Sequence, residues 1–88
     1  MSINIKDLKN KIIYRANYRG TKEMDKLLGS FTKKYIDYFN KQELKLLCDL
    51  LDYDDENLYK LNQGQNLTIQ IKLNKVSEMF KNYNYASE

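Results

Sequence analysis

Proline is absent from all 88 residues, and glycine occurs only at positions 20, 29 and 64. Without proline no helix interior is forbidden, and with so few glycines the punctuation that strands require is missing. Apolar residues recur at helical spacing along nearly the whole length. Ile5, Leu8, Ile12 and Ala16 form a first stripe, widened by Ile13, which predicts a helix running to about Tyr18. Gly20 then suits a left-handed cap, because glycine enters positive φ without penalty.

A second helix carries Met24, Leu27, Leu28, Phe31, Tyr35 and Tyr38, flanked by Ile36 and Phe39. Glu23 and Asp25 fall in its first turn, where carboxylates meet the positive end of the helix dipole. Gly29 in mid-helix costs about 1 kcal/mol relative to alanine, so it is expected to admit a close neighbour. Asn40 and Glu43 form a capping pair that opens a third helix. Its wide apolar arc (Leu44, Leu46, Leu47, Cys48, Leu50 and Leu51) marks it as central. Asp54 is a good N-cap for a short fourth helix containing Leu58, Tyr59 and Leu61, closed by Gly64. A fifth helix is predicted to open near Asn66 or Thr68, since Ile69, Leu73, Val76, Phe80 and Tyr83 are spaced 4, 3, 4 and 3 apart. The expectation is one all-α domain over residues 1–88, a compact five-helix bundle with its core at 5–83 and a frayed tail at 84–88.

Charge is segmented. Residues 1–41 carry a net +6, residues 42–56 a net −5 and the rest +2. Asparagine and lysine richness from AT-rich codons is a sufficient explanation for the excess of lysine. One cysteine excludes an intramolecular disulfide and suits a reducing compartment. No apolar run reaches the ~20 residues of a bilayer span. The N-terminus lacks both the apolar core of a secretory signal and the Arg-rich character of a transit peptide. The expected location is the bacterial cytoplasm, with no membrane insertion.

Little of the chain suits catalysis. Histidine is absent, which removes the commonest general base and metal ligand. Cys48 lies on a buried stripe and is read as a structural thiol. Asp52, Asp54 and Asp55 lack the glycine and terminal glutamate of a calcium loop, and the scattered glycines form no phosphate cradle. No catalytic, cofactor-binding or metal site is therefore expected. Eight tyrosines and three phenylalanines fall mostly near stripe edges and helix ends, as core-boundary residues do. Arg15 and Arg19, the two arginines of a lysine-rich chain, lie four apart beside Tyr18 and suggest planar, bidentate contact. Cap, turn and acidic first helical turn account structurally for Arg19 to Asp25. They do not account for arginine at position 19.

Arg19-Gly20-Thr21-Lys22-Glu23-Met24-Asp25 also fits the pattern RGxxExD, inside a longer block from Tyr18 to Phe31. A leucine-rich block follows at Leu44 to Leu51. A third, Leu50 to Tyr59, has paired leucines, an acidic turn and a Leu-aromatic step. In this order they resemble the succinate dehydrogenase assembly factor 2 family, of the bacterial SdhE type, over residues 5 to 64. The family usually has tryptophan where Leu61 stands and often a second arginine where Tyr18 stands. The resemblance implies a five-helix protein that is not an enzyme. It would bind the flavoprotein subunit of succinate dehydrogenase, with fumarate reductase as a second candidate client, and promote covalent attachment of FAD. The FAD and the acceptor histidine would belong to the partner, with no cofactor held stably by this chain, which would be a monomer when free. Arg15, Tyr18, Arg19, Gly20, Glu23 and Asp25 would form the partner-binding surface. The alternatives are a small basic nucleic-acid-binding protein, which the acidic block at 43–56 disfavours, and an antitoxin-like adaptor.

Overall fold

A computed structural model describes residues 4–84. Five helices follow in order: α1 Ile5–Asn17, α2 Lys22–Tyr35, α3 Lys41–Leu51, α4 Asp55–Gln63 and α5 Lys75–Lys81, with a 3₁₀ turn at Ile36–Tyr38 between α2 and α3. Among the described residues there is no strand. The expected fraying of the tail falls on residues outside those described, apart from Asn84.

Local chemistry sets most boundaries. The Asn40 side chain accepts from the Glu43 N–H at 2.8 Å while the Asn40 N–H donates to the Glu43 carboxylate at 2.9 Å, a complete capping box. Asp54 accepts from the Asn57 N–H at 3.1 Å and so caps α4, and left-handed Gly64 closes that helix. α1 stops at Asn17 with Tyr18 as its cap. The positive φ of Gly20, 111°, lies in the turn that follows.

Two expectations fail. α2 tightens into the 3₁₀ turn after Tyr35, so its final stripe changes register. Residues three apart then eclipse, and Ile36 and Phe39 are buried while Tyr38 is 83% exposed. The fifth helix begins at Lys75, not near 66 or 68. Thr68 is bound to the Asn57 amide, its N–H donating at 2.8 Å and its hydroxyl accepting at 2.9 Å. Thr68, Ile69 and Ile71 are β-branched and disfavour helix. Asn74 then supplies a stronger start, accepting from the Val76 and Ser77 N–H groups at 2.9 Å. Ile69 and Leu73 consequently stay largely exposed, whereas Ile71 turns into the core.

The core is continuous from Leu8 to Tyr83. Phe31 sits within it, 5.3 Å from the rings of both Phe80 and Tyr83 and 5.2 Å from Tyr35. α3 packs against both α1 and α5, with Leu44 and Leu47 fully enclosed, in line with its wide apolar arc. Gly29 meets the amide end of Asn17, which occupies the place of a Cβ. The absence of a side chain there lets the C-terminal end of α1 approach the middle of α2.

Candidate functional site

The turn from Tyr18 to Thr21 joins α1 to α2. Thr21 caps α2, its hydroxyl accepting from the Met24 N–H at 3.2 Å. Asp25 reaches back and accepts from the Arg19 N–H. The turn is thus held from both its helical side and its own backbone.

The Arg19 side chain points inward and is 12% exposed. Its Nη1 donates to the Leu51 carbonyl and its Nη2 to the Tyr53 carbonyl, both at 2.7 Å, and its Nε donates to Asp55 Oδ1 at 2.8 Å. Leu51 ends α3 and Tyr53 lies in the turn just beyond it, where carbonyls lack helical partners and the dipole is negative. A guanidinium offers the planar fork that such a set requires, and a lysine ammonium does not. This answers why arginine stands at position 19. One turn earlier, Arg15 pairs with Asp52.

Most of the acidic residues between 42 and 56 are paired. Asp52 and Asp55 are met by the two arginines of the N-terminal arm, Glu43 by Lys75 and Glu56 by Lys60. The bond from Lys75 holds the Glu43 carboxyl below the usual range, and the Asn57 side chain does the same for Asp54.

The six residues expected at a partner surface therefore separate into two groups. Arg19 and Asp25 are engaged in building the turn. Gly20, Glu23 and Tyr18 are exposed, and Arg15 is half-buried over Asp52. A Cβ at Gly20 would meet nothing within 4 Å, so the backbone there is open to another molecule. Glu23 makes no side-chain hydrogen bond or ion pair among the described residues, and it borders a cleft of about 660 Å³ with Lys26, Tyr59, Asn62 and Tyr83. Tyr18 packs on Tyr14 with ring centroids 4.7 Å apart, and the two are 70% and 66% exposed. Tyr14 extends this aromatic surface beyond the expected residues. The signal for it was its position four residues before Tyr18.

Among the described residues no group of His, Cys, Asp and Glu could hold a metal ion, and no helix is long and apolar enough to cross a membrane. Cys48 is half-buried and burial pushes its thiol up, with the nearby Arg15 opposing.

Fold and corner together define a small all-α module with most carboxylates of residues 43–56 paired internally and one polar inter-helix turn left open. The chain belongs to the family described as "Flavinator of succinate dehydrogenase", whose profile matches residues 10–84. It is 36% identical over 58 residues to the mitochondrial succinate dehydrogenase assembly factor 2 of Debaryomyces hansenii, covering 66% of this chain and 39% of that protein. It is 37% identical over 54 residues to the FAD assembly factor SdhE of Wigglesworthia glossinidia brevipalpis, covering 60% of this chain and 64% of that one. A third relative, the mitochondrial succinate dehydrogenase assembly factor 2 of Scheffersomyces stipitis, is 41% identical over 49 residues, covering 56% of this chain and 33% of that protein. The matches thus span between a third and two thirds of the relatives' length. No solved structure matches the chain.

Proposed function

We propose that this protein binds the flavoprotein subunit of succinate dehydrogenase and promotes covalent attachment of FAD to it, with the fumarate reductase flavoprotein as a second candidate client. Membership of the flavinator family over residues 10–84 is the observation that carries this reading. The chain has no histidine, so an acceptor histidine lies on the partner.

The residues present do not fit a resident FAD. Gly20 is spent on the turn, Gly29 on the approach of Asn17 and Gly64 on the end of α4. No run of glycine-backed N–H groups is left to cradle a pyrophosphate. We assign the flavin to the partner and a non-catalytic, cytoplasmic role to this chain, monomeric when free. Docking uses the open corner: Gly20 lets two backbones approach, Glu23 supplies a charge, and Arg15 and Tyr18 anchor its flank. Tyrosine and arginine are the side chains that dominate interface energetics. Such a surface acts by holding the partner in the geometry from which attachment proceeds.

In-gel flavin fluorescence of the flavoprotein, in cells with and without this gene, tests the proposal. Covalent flavin should fall sharply without the gene and return with the wild-type chain. Equal rate and yield in both strains would overturn it.

A further inference from the structure

We infer that Asp55, in the first turn of α4 and outside the RGxxExD run, is a positioning residue for the docking corner, and that Arg19 acts inside the protein rather than on the partner. The inference rests on the docking reading above. Its physical basis is the guanidinium clasp, in which one side chain from the α1–α2 turn is held by two carbonyls and a carboxylate of the α3–α4 turn.

Arg19 and Gly20 are adjacent, so fixing one residue constrains the backbone of the next. From Arg19 the constraint continues through its own N–H to Asp25 in the first turn of α2, the turn that also carries Glu23. Bonds to charged groups in a partly buried setting are the strong ones, and their geometry is directional. To reach a partner directly, Arg19 would have to leave three such bonds and strand two carbonyls at and just beyond the end of α3. The clasp therefore sets where Gly20 and Glu23 are presented. Asp55 matters because its carboxylate is the clasp's only charged acceptor. Asp55 in turn is 28% exposed at its side chain, which leaves the bond partly shielded from solvent.

The experiment compares Asp55→Ala, Arg19→Met and the double variant, with Glu56→Ala as control, using the full chain. Glu56 shares the first turn of α4 with Asp55 but pairs with Lys60 instead, so it matches the loss of an acidic dipole partner without touching the clasp. Two readouts are taken: affinity for the apo-flavoprotein, and the Gly20 amide signal in a ¹H–¹⁵N spectrum. Asp55→Ala should weaken binding by about tenfold or more and shift or broaden Gly20 while leaving Gly64 in place. The double variant should bind about as weakly as Arg19→Met alone, since both substitutions break one clasp. Glu56→Ala should resemble wild type in both readouts, and Asp55→Glu should recover part of the loss. If Arg19 instead touched the partner, Asp55→Ala would bind as wild type with Gly20 unmoved, and that outcome overturns the inference. A wild-type chain that does not bind the flavoprotein sinks the docking reading alone, because the Gly20 signal still reports on the clasp.

Discussion

Replacing Glu23 with glutamine separates docking from folding more cleanly than any other change at the corner. Glu23 is the second residue of α2 and is exposed, with no hydrogen bond or ion pair from its side chain among the described residues. Its contribution to folding is its carboxylate near the positive end of the dipole, worth about 0.3–1 kcal/mol at an exposed site. For a domain of this size that lowers the melting temperature by roughly 2–6 °C. In a complex the same charge would be desolvated beside a partner group, and truncating one member of such a pair costs about 2–5 kcal/mol. Affinity should then fall by roughly thirtyfold to several thousandfold. The two effects differ enough to be read independently, by thermal melting of the free chain and by titration calorimetry against the apo-flavoprotein. A melt lowered by tens of degrees with affinity intact would show that Glu23 serves the turn. Unchanged affinity with an unchanged melt would remove Glu23 from the interface.

Gly20→Arg should disturb both quantities at once. The space around Gly20 is open, but its φ of 111° is one that side chains rarely adopt, so about 1–3 kcal/mol of strain should appear in urea unfolding beside a loss of flavinylation in cells. Leu47→Ala, at a fully enclosed site on α3, should destabilise by about 2–5 kcal/mol, and the fraction that remains folded should still bind the flavoprotein with native affinity. The Glu43 carboxyl titrates below its ordinary range in the folded state because it accepts from Lys75. Its stabilisation is therefore present above the unfolded pKa and lost as pH falls through the lower folded value. The stability difference between wild type and Glu43→Gln should hold from neutral pH to about pH 5 and shrink below roughly pH 4. A difference that persists unchanged at pH 3 would refute the assignment.

Most of the fold was legible because most of its determinants are local. The Asn40–Glu43 box, the Asp54 cap and the left-handed Gly64 each operate within four residues, and their side chains announce them. The start of α5 was not legible, because the 4-3-4-3 apolar spacing through Ile69 and Leu73 describes a helix as well as it describes the observed loop. What decides between them is the bond between Thr68 and Asn57, eleven residues away, together with the stronger cap at Asn74. The corner shows the same limit from its functional side. Sequence located Gly20 and Glu23 and raised the question of Arg19, but two of the guanidinium's three acceptors are main-chain carbonyls, at Leu51 and Tyr53, more than thirty residues away. A carbonyl has no residue identity, so no pattern of side chains can record it. Only the third acceptor, Asp55, left a trace: the net −5 over residues 42–56 lies against the net +6 of the N-terminal arm. Two arginine pairs, Arg15–Asp52 and Arg19–Asp55, tie the α1–α2 corner to the acidic α3–α4 turn. Glu43 and Glu56, however, pair with Lys75 and Lys60 outside the basic arm, so the charge pattern alone does not say which turns meet.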